Sequence, residues 1–163
     1  MNLYTIRPIV EQDMPFLWDM LYESLYVPEG QKAFSREVIK EPLIAKYLDN
    51  WGREGDMGYI AVNNEGYSIG SITMRYFNED NKGYGYISND TPELGMSLIK
   101  EYRGQGIGTA LLRKLFEEMT ELGIKRISLS VDPRNLAAVK LYQRVGFEEV
   151  GMEGTSITMI ADL

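Results

Sequence analysis

Leu94-Gly95-Met96-Ser97-Leu98-Ile99-Lys100-Glu101-Tyr102-Arg103-Gly104-Gln105-Gly106-Ile107-Gly108-Thr109 runs from an apolar strand, past a basic residue, into a glycine turn that opens a helix. The first turn of a helix leaves about four N–H groups without intrahelical partners and carries roughly half a positive charge. Gly104, Gly106 and Gly108 strip side chains from that end, so an anion can touch the backbone. Such a turn is a phosphate seat.

Downstream of the seat, Ile107, Leu111, Leu115, Met119 and Leu122 keep helical spacing, and Gly123 stands where a helix-ending glycine belongs. Arg126–Val131 reads as a strand, Asn135–Val145 as a helix stopped by Gly146, and Phe147–Val150 and Ser156–Ala161 as closing strands. Upstream, Leu3–Arg7 reads as a strand. Asp13 reads as the cap of a helix with Pro15 in its first turn and Leu17, Leu21 and Leu25 along one face. Ser35 is placed to cap a second helix, which Pro42 interrupts or restarts, with Leu43, Ile44, Tyr47 and Leu48 as its apolar face. Met57–Val62 and Ser68–Phe77 form a hairpin about Asn63-Asn64-Glu65-Gly66. Asn78–Thr91 is a polar, glycine-bearing loop, either a mobile connection or one facing the substrate. The order is an α/β pattern, a mixed sheet with a parallel centre and antiparallel flanks. It fits a single domain over 1–163.

The 163 residues hold 44% hydrophobic and 25% charged side chains, the balance of a globular chain with a proper core. No apolar run reaches the ~18 residues that span a bilayer. The N-terminal Met1–Pro8 lacks a leader layout, so a soluble, cytoplasmic protein is expected. The chain has no cysteine, which removes disulfides, thiolate zinc sites and a cysteine nucleophile. It has no histidine either, the commonest general base and transition-metal ligand, so no metal is expected. Proton transfer falls to carboxylate, Tyr, Lys or water. A net charge of −7 makes nucleic acid a poor partner.

Three kinds of phosphate turn compete for the seat. The chain holds no G-x-x-x-x-G-K-[ST] string. In a dinucleotide turn, G-x-G-x-x-G, the third glycine would come one residue after Gly108. Asp132 could imitate its ribose-binding acid, but too little chain remains for the usual sheet. The third kind pairs Arg103-Gly104-x-Gly106-x-Gly108 with a second block, Asn135-Leu136-Ala137-Ala138-Val139-Lys140-Leu141-Tyr142-Gln143-Arg144-Val145-Gly146-Phe147. Together these closely resemble the GCN5-related N-acetyltransferase (GNAT) superfamily, with its R/Q-x-x-G-x-G/A and N-x-x-A-x-x-L-Y-x-x-x-G-F signature. The resemblance is strong over Glu93–Phe147 and elsewhere rests on element order.

The resemblance implies a central mixed sheet with helices on both faces, and acetyl-CoA as the co-substrate. Backbone N–H groups from Arg103 through Gly104, Gln105, Gly106, Ile107 and Gly108 would hold the pyrophosphate, with the Arg103 side chain adding a charge-assisted bond. Thr109 either adds its hydroxyl or sits in the first turn. Main-chain groups of Leu98, Ile99 and Lys100 would bind the pantetheine arm as an extra strand in a V between this strand and the next parallel one. N–H groups near Met96–Leu98 would polarise the thioester carbonyl. Asn135 caps the last helix and matches a pantetheine-binding Asn. Tyr142 matches the tyrosine that hydrogen-bonds the sulfur and protonates the departing thiolate. Glu93 is the candidate base, with Asp90 or water as alternatives. Transfer of acetyl to a primary amine by direct attack in a ternary complex is the expected reaction. A catalytically silent acyl-CoA-binding module and a longer acyl donor remain open.

The acceptor is not named by any motif. The first two helices, the Asn78–Thr91 loop and the last hairpin would form its site. Tyr22, Tyr26, Tyr76, Tyr84 and Tyr86 are candidates for cation–π contacts there. Ser156–Leu163 could pair with a second subunit in a homodimer.

Overall fold

The computed structural model describes residues 3–163; Met1 and Asn2, included in the leader reading, lie outside them. The elements are β1 (Tyr4–Pro8), α1 (Met14–Glu23), α2 (Pro42–Ala45), β2 (Met57–Asn63), β3 (Ser68–Arg75), β4 (Glu93–Leu98), α3 (Ile107–Glu121), β5 (Arg126–Val131), α4 (Leu136–Arg144), β6 (Glu148–Glu153) and β7 (Ser156–Asp162). The strands form one sheet ordered β1-β2-β3-β4-β5-β7-β6. All neighbours are antiparallel except β4 and β5, which run parallel because α3 carries the chain back between them.

Alternation along β2 assigns the two faces. Tyr59 and Ala61 join the larger core with Leu111, Leu112, Leu115 and Met119 of α3, and Tyr142 of α4. Ile60, between them, belongs to a second cluster with Leu17 of α1 and Leu48. Helices therefore cover both faces. No helix among the described residues is long and apolar enough to cross a membrane.

Arg75, at the end of β3, is 2% exposed and holds the α2 side to the sheet. Its Nε and Nη2 donate to the two Asp56 carboxylate oxygens at 3.0 and 2.8 Å. Its Nη1 donates to the carbonyls of Lys46 (2.8 Å) and Asp49 (2.7 Å), and Trp51 stacks 5.3 Å away.

Several expectations change. Asp13 does not cap α1 with its side chain. Its carboxylate turns back to the Val10 N–H (2.8 Å) and to Arg7 (2.8 Å), because a cation stands within reach. The second helix shortens to a 3₁₀ turn, Arg36–Lys40, and the four-residue α2 that Pro42 restarts. Ser35 does cap that turn, accepting from the Glu37 N–H at 3.3 Å. Leu43 faces outward, 58% exposed. The last strand, β7, cannot pair with a second subunit, because β5 and β6 occupy both its edges. The free edge there is β6, exposed throughout and bearing Glu148, Glu149 and Glu153. Charges along an edge strand oppose pairing with another copy.

Candidate active site

β4 and β5 meet at one register pair, Glu93↔Ser128, and separate beyond it. The Ile99 N–H bonds to the Ile69 carbonyl of the neighbouring chain segment at 2.9 Å. Peptide groups alternate sides along a strand, so those of Met96 and Leu98 turn away from β3 into the gap. Two of the three pantetheine candidates are thereby sorted. Leu98 faces the gap, whereas Ile99 has its N–H already engaged. Lys100 sits in a short 3₁₀ turn, Lys100–Tyr102, after the strand.

The glycine turn follows. Gly104 (φ 76°) and Gly106 (φ 85°) are left-handed, where a β-carbon is strained, and no atom lies within 4 Å of where one would be. The first N–H of α3 to find a carbonyl is that of Ala110, on Gly106 at 3.1 Å. The preceding N–H groups, Gly104 through Thr109, are thus without a hydrogen-bond partner among the described residues. Gly108 has another role: a β-carbon there would press on Leu141 Cδ2 (3.2 Å) and Met96 Cε (3.3 Å). It allows α3, α4 and β4 to meet, so its missing side chain serves packing while its N–H stays with the turn. The Ile107 side chain is core. Gln105 donates to the Glu101 carbonyl (3.1 Å), and Arg103 Nε folds back onto the Leu98 carbonyl (3.1 Å), leaving its two Nη groups for an anion. Thr109 lines a separate cavity of 410 Å³ towards β1.

Asn135 caps α4, its Oδ1 accepting from the Ala138 N–H at 3.3 Å. Tyr142 follows Leu141, the residue packed on Gly108. Its ring is 8% exposed and meets Phe147 edge-on at 5.5 Å. Its hydroxyl forms no hydrogen bond to the described residues, yet it is not sealed from solvent. Burial pushes this phenol up to about 12, because phenolate would be stranded in apolar surroundings.

Glu93 is 4% exposed and not a solvated strand end. Its Oε2 accepts from the Tyr47 hydroxyl (2.5 Å) and its Oε1 from the Gly85 N–H (3.1 Å). Burial raises the carboxyl to about 7, and the Tyr47 and Gly85 bonds and the Lys46 charge hold it from going higher. Tyr47 is pushed well up, first by burial and then by the Glu93 charge. The Tyr47 oxygen also accepts from the Tyr84 N–H at 2.7 Å. Asp90, the alternative base, is exposed and held below its ordinary value, chiefly by the Ser88 hydroxyl. Its carboxylate is therefore a poor proton acceptor.

Tyr47, the hydrogen-bond partner of Glu93, is the candidate-site residue that sequence reading does not single out, since it falls among aliphatic positions. The available signal was its hydroxyl, which needs a partner wherever the ring is buried. Gly83 and Gly85 carry a similar signal. A β-carbon at Gly83 would collide with Glu93 Oε1 and the Tyr47 hydroxyl, and one at Gly85 would lie 2.7 Å from the Leu129 backbone. Two glycines thus press residues 83–85 over Glu93 and β5. Beside them, α2, residues 82–87 and β6 enclose a 520 Å³ cavity.

The model of the acetyltransferase (GNAT) family matches residues 16–147, and the chain belongs to that family. An uncharacterized N-acetyltransferase of Methanocaldococcus jannaschii is 25% identical over 152 residues, which are 90% of this chain and 61% of that protein. The spermine/spermidine N(1)-acetyltransferase of Bacillus subtilis is 39% identical over 74 residues, 44% of this chain and 45% of that enzyme. The chain therefore spans less than two thirds of the curated relatives it matches. Among solved structures, an acetyltransferase of Acinetobacter baylyi superposes with TM-score 0.73 at 19% identity, covering 100% of this chain and 93% of the other. The PaiA N-acetyltransferase of Thermoplasma acidophilum, solved with coenzyme A, gives 0.71 at 20% identity and complete coverage of both. At such identities the likeness is one of fold.

Proposed function

We propose that the protein transfers an acetyl group from acetyl-CoA to a primary amine by direct attack in a ternary complex. The observation that carries this reading is the gap between β4 and β5, which opens beside a turn whose N–H groups are unengaged. CoA has the matching parts: a pyrophosphate for the turn and an amide-bearing arm for the strand edge. In this reading Arg103 and the Gly104–Thr109 N–H groups bind the pyrophosphate, Leu98 holds the arm, and Asn135 adds a contact while capping α4. The Met96–Leu98 edge then presents N–H to the thioester oxygen.

An alkylammonium first passes a proton, by way of water, to the Glu93 carboxylate, as its pKa near 10 demands. Its nitrogen attacks the carbonyl carbon, and a tetrahedral oxyanion forms. The C–S bond breaks as nitrogen gives up its second proton, by way of water, to the departing sulfur. Tyr142 donates a hydrogen bond to the departing sulfur. A thiolate is the weaker base, by several units, than a phenolate whose acid stands near 12. Tyr142 therefore stabilises the thiolate through that bond, and the proton lost from nitrogen ends on CoA. With no cysteine in the chain, no acyl-cysteine intermediate arises.

Thiol release from acetyl-CoA over a broad amine panel tests the reading. CoA binding without turnover of any amine would instead support the silent CoA-binding module.

Two further results are expected. With Glu93 as base, the rate rises with pH through about 7, where the carboxyl loses its proton. Glu93→Gln should remove that limb and lower kcat/KM by about 10²-fold or more. Tyr47→Phe deletes a bond that favours the carboxylate, so the limb should move to higher pH. A pH–rate series on the three proteins checks both signs. Gly106→Ala should cost about 1 kcal/mol in thermal unfolding, because its φ of 85° suits glycine alone. It should also weaken CoA binding by calorimetry.

A further inference from the structure

The cavity between α2, residues 82–87 and β6 carries the charged side chains Lys46, Lys82 and Glu153. Its wall is thus net positive, although the chain as a whole carries −7. Lys46 Nζ donates to the Lys82 carbonyl at 2.6 Å, which anchors that ammonium and leaves its other donors free. The Lys82 ammonium lies 5.5 Å from the centre of the Tyr86 ring. At 520 Å³ the space suits a small molecule.

The five tyrosines considered for gripping a cationic acceptor are mostly committed elsewhere. Tyr22 has Arg36 over its ring at 4.9 Å, Tyr26 has Arg134 at 5.9 Å, and Tyr86 has Lys82. The Tyr76 ring stands where a side chain on Gly55 would go. Tyr84 and Tyr86 alone of the five line the cavity. A polyamine entering there would meet two ammonium groups, with one of the two rings already paired to a cation.

We propose that this cavity takes an acceptor that bears a carboxylate besides its reacting amine, with Lys46 and Lys82 receiving the carboxylate. The inference rests on the acetyl-transfer reading. Gly83 lies on the same wall and its backbone covers Glu93 and the Tyr47 hydroxyl, so one glycine separates the cavity from the candidate base. Glu153, from β6, is the single acidic group on the wall and can face the ammonium end of the acceptor before it loses its proton.

The test pairs each acid with its carboxamide, which has the same shape without the charge: β-alanine, 6-aminohexanoate and L-tyrosine against their amides, with spermidine alongside. Each probe is titrated calorimetrically into the CoA-saturated protein and assayed for thiol release from acetyl-CoA. At least one acid should outdo its amide about tenfold in binding and in kcat/KM, as expected for a charge-assisted bond. The ratio should fall towards one in Lys46→Met/Lys82→Met. Spermidine should be poor with wild type and improve with Lys82→Glu. The proposal is overturned if no acid beats its amide, if spermidine is preferred, or if the ratio survives the double substitution. A peptide of glycine followed by glutamate, run in parallel, separates a small amino acid from an acidic peptide as the source of the carboxylate. Should CoA bind and no amine be acetylated, the acetyl-transfer reading falls, while the calorimetric ratios still decide the charge preference.

Discussion

Tyr142→Phe should lower kcat by about 10²-fold or more and leave CoA affinity and folding stability almost unchanged. The separation follows from the hydroxyl's surroundings. The ring is packed against Phe147, and phenylalanine keeps that packing. The hydroxyl has no hydrogen-bond partner among the described residues, so its removal orphans nothing within the fold. What it removes is a donor aimed at charge that develops only as the C–S bond breaks, and such interactions appear in kcat. Because burial holds the phenol near 12, wild type should show no alkaline limb from this residue below about pH 10. Single-turnover thiol release, CoA calorimetry and a thermal melt on the same preparation give the three readings. A loss of CoA affinity equal to the loss of rate would return Tyr142 to a packing role.

Asp56→Ala should destabilise the protein by about 3–5 kcal/mol. That corresponds to a Tm roughly 6–20 °C lower for a chain of this size. The Arg75–Asp56 side chains are 3% and 2% exposed, so the guanidinium left behind is a buried charge without a counter-ion. Asp56 Oδ2 also accepts from the Gly52 and Arg53 N–H groups, at 3.0 and 2.9 Å, so the substitution also releases the turn that leads into β2. Arg75→Met/Asp56→Leu, which removes both charges, should be much milder than either single loss. Urea titration measures all of these. Arg75 also holds the Lys46 and Asp49 carbonyls, so Asp56→Ala should disturb Tyr47 and, through it, the pH dependence assigned to Glu93.

How far the sequence could be read depended on whether the deciding contacts were local. Gly104 and Gly106 announce a left-handed turn by composition alone, and Asn135 three residues before Ala138 announces a cap. Gly108 looked identical to its neighbours, because only the meeting of Leu141 with Met96 distinguishes it. Glu93 could be picked out as a strand-start acid, but its burial comes from Tyr47, 46 residues away, and from the Gly83–Gly85 backbone. Asp13 had the composition of a cap and was claimed instead by Arg7 across the β1 turn. The order of β6 and β7 is a tertiary choice that alternation within either strand does not encode. The acceptor cavity is the extreme case, since its wall is gathered from α2, the 82–87 segment and β6.

The lone Glu93↔Ser128 pair divides the sheet into two halves, β1 to β4 and β5 with β7 and β6, joined along most of that seam by packing, that of residues 83–85 included, and not by strand hydrogen bonds. A donor arm hydrogen-bonded along the β4 bank would act as a temporary eighth strand. Its departure would return the two halves to semi-independent motion. Amide exchange at Met96 and Leu98 should then report occupancy directly, and slower exchange across both halves when CoA is bound would show the molecule stiffening as one body.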